Sequence, residues 1–157
     1  MIVKALRALA VFLIVSTPVA SQGVVIAGGT PSAVVEALKA QLLPQGFQLV
    51  SVDDKSALFA LDRGMVQQQG SRMESGALVH IVLEFTARFK QKAEGLQVTA
   101  SEEVVGNPRS RLQFRKPVES YEERHNMQTL LDAIKTDLDG RQSSRDSARK
   151  RDSTPPE

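Results

Sequence analysis

The stretch ALVHIVLEFTARFK, residues 77–90, decides the fold. Ala77, Val79, Ile81, Leu83, Phe85, Ala87 and Phe89 take the odd positions. The even positions hold His80, Glu84, Thr86, Arg88 and Lys90, with Leu78 and Val82 as exceptions. Successive side chains of a strand point to opposite faces, so this alternation means a long strand with one face on a core. QKAEG follows as a turn. In the returning strand Leu96, Val98, Ala100 and Val104 alternate with Gln97, Thr99, Ser101 and Glu103. Setting Phe89 opposite Leu96, Ala87 opposite Val98 and Phe85 opposite Ala100 brings the two apolar faces together, as a hairpin requires. Glu102 falls on the inward phase. An unpaired carboxylate is costly to bury, so a sheet edge where the core has ended is preferred there over a polar group in a cavity.

Toward the N-terminus, FQLVSVDDKSALFALDRG reads as two shorter strands, residues 47–52 and 57–62. Asp53, Asp54, Lys55 and Ser56 form the turn. Adjacent strand residues point apart, so Asp53 and Asp54 are turn-formers rather than a catalytic carboxylate pair. Residues 63–76, RGMVQQQGSRMESG, are polar and Gly-containing and read as a mobile loop. Its candidate partner-contact residues are Arg63, Met65, Arg72 and Met73.

A helix precedes the first hairpin. Thr30 can cap it, and Pro31 suits the first helical position, where its missing N–H costs nothing. Val34, Val35, Leu38 and Leu42 make one apolar face, and Pro44 with Gly46 ends it. VVIAGG, residues 24–29, is a short strand or an ordered lead-in. After the long hairpin, GNPRS breaks the pattern, and residues 112–114 make a short edge strand. A second helix follows, with a capping box at Ser120 and Glu123. Met127, Leu130, Leu131, Ile134 and Leu138 form its stripe, and Gly140 is its expected stop. Beyond it no apolar residue is larger than Ala148. Residues 140–157 are therefore expected to be a disordered polar tail.

These elements predict an α+β domain of two layers over residues 24–139. An antiparallel sheet of about four strands packs on two helices, in the order helix, hairpin, long hairpin, helix. VVEALKAQLLPQGFQLVSVDDKSALFAL, VHIVLEFTARFKQKAEGLQVTA and MQTLLDAIK together resemble the helix-grip modules of bacterial envelope proteins. One family that these residues resemble is the BamC family, a lipoprotein of the outer-membrane β-barrel assembly machine. The resemblance implies a helix laid on a sheet and a place in the cell envelope. It carries over Gly46 and Asp53 as fold markers. The chain differs from that family in having no cysteine to carry lipid.

The beginning of the chain agrees with export. MIVKALR carries Lys4 and Arg7, ALAVFLIV is uncharged and apolar, and STPVASQG is rich in small residues. That order is a secretory signal peptide over residues 1–20; cleavage after Ala20 or Ser21 fits, and Ala20 is preferred. The apolar run is well short of the roughly 20 residues that span a bilayer, so no permanent span is expected. Without Lys4 and Arg7 the chain has 18 basic and 18 acidic residues. Such a neutral chain has no general attraction for nucleic acid. RKR near the C-terminus has no aromatic residues interleaved for stacking bases.

Motifs for chemistry are sparse. His80 and His125 have no second ligand at metal spacing, although Glu122 lies three residues before His125, and zinc takes three or four ligands. Neither histidine has a nucleophile motif. AGGTPS lacks the phosphate-loop spacing; a glycine lead-in to a capped helix is the simpler reading than an anion site. No catalytic, cofactor or metal residue is assigned. The expectation is a periplasmic or secreted, non-enzymatic binding or accessory protein, whose partner is an envelope protein or a hydrophobic ligand. The alternatives are an immunity protein or toxin inhibitor, and a hydrolase with a site assembled in space around His80 or His125.

Overall fold

The computed structural model describes residues 22–67 and 78–152. In chain order the elements are β1 (Gln22–Ile26), α1 (Pro31–Leu42), β2 (Gln48–Val52), β3 (Ser56–Gln67), β4 (Leu78–Lys92), β5 (Gly95–Gly106), β6 (Phe114–Pro117) and α2 (Tyr121–Asp152). The class is α+β. The sheet is antiparallel and has six strands rather than about four, in the order β1-β5-β4-β3-β2. β6 pairs with β5 on the same edge as β1. The two additional strands are short and divide one edge of β5 between them. β1 pairs along Leu96 to Ala100, and β6 along Glu103 to Gly106.

Local signals place the first half as read. Thr30 Oγ1 accepts the Ala33 N–H at 3.3 Å and caps α1, with Pro31 at its start. A 3-10 turn at Leu43–Gln45 ends on Gly46, whose φ of 92° favours glycine. Asp53 Oδ1 accepts the N–H groups of Lys55 and Ser56, both at 2.7 Å, and closes the β2–β3 turn. Those two bonds hold the Asp53 carboxyl below its ordinary value.

The long hairpin keeps the expected faces but slides by two residues. Phe89 lies opposite Val98, Ala87 opposite Ala100 and Phe85 opposite Glu102. A two-residue turn between Lys92 and Gly95 replaces the longer one expected. Sliding by two returns every side chain to its own face, so burial does not oppose it.

The odd residues of β4 and the even residues of β5 face the helices. Phe59, Phe85, Ala87, Phe89, Val98 and Ala100 join Val34, Leu38, Leu42, Met127, Leu131 and Ile134 in one core cluster. Each fully buried Val, Leu, Ile, Phe or Met side chain contributes about 1.5–3 kcal/mol relative to exposure. The opposite face is largely polar, although Val105 is buried on it. There Glu84 and Glu103 lie directly across from each other, and Arg115 bridges them at 2.7 and 3.0 Å. Without it two like charges would repel across the strands.

Two expectations need correction. The second helix does not stop at Gly140 but runs to Asp152, so part of the expected disordered tail is helical. Glycine inside a helix costs only about 1 kcal/mol. Here Lys135–Asp139 and Asp137–Arg141 pair along the helix surface, and the hydroxyls of Ser143 and Ser144 donate to the Asp139 and Gly140 carbonyls. Gln142 also packs over Gly28, tying this part of the helix to the chain before α1. The expected loop at residues 63–76 is corrected over its first part, since β3 continues through Gln67; residues 68–76 lie outside the described residues. Arg63 and Met65 are thus strand residues. Arg72, Met73 and the expected signal segment lie outside the described residues.

Candidate functional site

A groove of about 390 Å³ opens between the end of α1, the first turns of α2 and the sheet. Leu83 and Phe85 of β4 form its floor, with Leu42, Phe47, Met127 and Leu130 as apolar walls. Gln45, Arg63, Glu102, Glu123 and Asn126 supply its polar groups. Its volume is that of a small ligand or a few side chains.

Each polar group has a local cause for its position. Asp62 Oδ1 accepts the Gly64 N–H at 2.7 Å, and Gly64 takes a φ of 72°. The register with β4 shifts between Asp62 and Gly64, leaving Arg63 as the extra residue of a bulge. Arg63 lines the groove. The capping box sets Glu123: Ser120 Oγ accepts the Glu123 N–H at 3.2 Å and its hydroxyl donates to the Glu123 carboxylate. Glu102 sits on β5 just before the pairing with β6 begins, and its carbonyl accepts the Val118 N–H at 2.9 Å.

Glu102 is half-buried. Burial pushes its carboxyl above the ordinary value, the Glu123 charge adds to the rise, and Arg63 opposes it. Glu102 lies where the core residues of β5 end, on the stretch of its edge between the β1 and β6 pairings, and it also lines the groove as a partly buried polar group. Arg63, Glu102 and Glu123 lie far apart in the chain and carry no shared motif. In the sequence the inward phase of Glu102 signalled the site, and Arg63, expected as a partner-contact residue, also lines it, whereas Met65 does not.

The histidines lie elsewhere. His80 Nε2 is 2.8 Å from Asp62 Oδ1 on the polar face of the sheet, a pairing the sequence reading missed. No hydroxyl is hydrogen-bonded to the His80 ring among the described residues. His125 stacks on the exposed Tyr121, with ring centroids 6.2 Å apart. Among the described residues no three His, Asp or Glu side chains are grouped to hold a metal ion. Gln142 fills the space over Gly28, in the stretch considered for an anion. Among the described residues no helix is long and apolar enough to cross a membrane. No protein-family model matches the chain, and no curated protein matches it.

Proposed function

We propose that the protein is an exported, non-catalytic binding or accessory protein of the cell envelope, which receives an apolar group of its partner in the groove over Leu83 and Phe85. The observation that carries this reading is the groove itself, an apolar floor with a charged rim beside the main core cluster. Sites of this kind take an apolar body and orient it with a few polar groups. The basic, apolar and small-residue regions at the start of the chain support export.

Two measurements test it. A neutral apolar fluorophore such as N-phenyl-1-naphthylamine should bind with enhanced emission, and Leu83→Lys should weaken that binding about tenfold or more, as expected for a charge set on an apolar floor. Equal binding by the variant would contradict the groove as the site. Mass measurement of the protein from periplasm should give a chain beginning at Ser21. An intact Met1 in the cytoplasmic fraction would contradict export.

A further inference from the structure

Three segments meet at the end of the sheet farthest from the β2–β3 and β4–β5 turns. They are the end of β3, the start of β4 and the loop between β5 and β6. Met65 pairs with His80, and Gln67 with Leu78. Asn107, first in the loop, donates its N–H to the His80 carbonyl at 2.7 Å, and its side-chain oxygen accepts the His80 N–H at 3.2 Å.

The loop is built rather than slack. Asn107 and Arg109 hold positive φ values of 48° and 63°, a conformation that residues other than glycine rarely adopt. Ser110 N donates to the Asn107 carbonyl, Arg109 N to Gln113 Oε1 and Leu112 N to Ser110 Oγ. This frame leaves Leu112 78% exposed. Met65, Val66 and Leu78 are exposed at the same end, so four of the eight exposed large apolar residues among the described residues belong to segments at this end.

Charge is also uneven. Between Val104 and Val118 the chain has Arg109, Arg111, Arg115 and Lys116 and no acidic residue. Arg115 is engaged by Glu84 and Glu103, whereas Arg109 and Arg111 are exposed and make no ion pair among the described residues. Asp62 of β3 is turned to His80 and the Gly64 N–H. Exposed apolar side chains flanked by free arginines match the interface of an anionic bilayer. There the apolar groups enter the acyl boundary and the cations meet phosphate.

We propose that this end of the sheet, with Leu112 at its tip and Arg109 and Arg111 beside it, docks reversibly on the surface of an anionic phospholipid bilayer. It does so independently of whether the groove binds an apolar group. Net neutrality of the exported chain does not oppose this, because only charges within about a Debye length of the surface, roughly 10 Å at 0.1 M salt, contribute.

The test is flotation with vesicles of phosphatidylcholine containing one third phosphatidylglycerol. It uses the chain from Ser21 onward, which contains every strand and helix described. The expected result is binding to these vesicles, little binding to pure phosphatidylcholine, and a loss on raising salt. Leu112→Asp and the double change Arg109→Glu with Arg111→Glu should each lower binding severalfold or more, given the contribution of each basic residue near such a surface. Val52→Asp, at an exposed apolar site on the opposite end of the sheet, should leave it unchanged. Circular dichroism confirms that each variant is folded. Absence of binding, equal binding to neutral vesicles, or a loss on Val52→Asp matching that on Leu112→Asp would each overturn the proposal. Loss of vesicle binding with retained fluorophore binding would leave the groove reading standing alone.

Discussion

The two ends of the one sheet are built from the same strands and put to different uses. Near the β4–β5 turn, Ala57, Phe59, Ala87, Val98 and Ala100 are at most 1% exposed beneath α1 and α2. Further along the same strands Ile81 and Leu83 are only half-buried, and Met65, Val66 and Leu78 are exposed. Val79 and Val105 are buried there outside the main cluster. Alternation of side chains reports which face points inward, and it is less regular at the second end, where Leu78 and Val82 break it and β3 carries a bulge at Arg63. Val66 pairs with Val79 on the face that carries the helices, whereas Met65 and Leu78 lie with His80 on the other face, so the second end exposes apolar side chains on both faces. Burial stabilises the first end, so the second is free to carry contacts with something outside the chain.

The largest test of this contrast is truncation at the covered end. Phe59→Ala removes a fully buried ring that packs edge-on against Phe85, with centroids 6.3 Å apart. It should destabilise the protein by about 3–5 kcal/mol in urea unfolding. A cost below about 1 kcal/mol would place the core elsewhere. Smaller and of opposite sign is Gly140→Ala. A Cβ there meets nothing within 4 Å, so the variant should gain about 0.5–1 kcal/mol by the helix preference of alanine. No gain would mean that the helix does not pass through this residue.

At the boundary between the two ends, Glu102→Gln should raise stability at pH 7 and change it little at pH 4. Its folded-state pKa lies above the unfolded value because burial and Glu123 disfavour the charge. The folded state then binds the proton more tightly, so stability is greatest at low pH and falls as pH rises through the shifted pKa. The same gain at both pH values would remove the electrostatic cause. The smallest effect belongs to the exposed end. Met65→Ser should stay within about 0.5 kcal/mol of the parent, as surface substitutions usually do. A cost of several kcal/mol would erase the distinction between the ends.

Those parts of the fold that rest on local chemistry were legible in the sequence. Thr30, Pro31 and Gly46 bound the first helix, Asp53 closes its turn, and Ser120 with Glu123 opens α2. Period two gave the faces of β4 and β5. The register did not follow from it, because a slide of two residues leaves every face unchanged. Helix α2 hid its full length because composition reports burial, and the turns on either side of Gly140 carry side-chain bonds along their own surface. The groove was nearly invisible. Arg63 enters it through a bulge that Asp62 and Gly64 create together, and no periodicity contains a bulge. The sequence GNPRS was read only as a break, whereas its hydrogen bonds make it the frame that displays Leu112.

Amide hydrogen exchange tests the division of the sheet most directly. His80 spends its backbone groups on Asn107, on the β5 side of β4. Its antiparallel neighbour Met65 therefore turns its own N–H the other way. β2 pairs with β3 only as far as Ala60, so that N–H meets an open edge among the described residues. The account predicts that the Met65 amide exchanges without global unfolding, while those of Ala87, Val98 and Ala100 exchange only when the whole domain opens. Protection of Met65 equal to that of Val98 would contradict it.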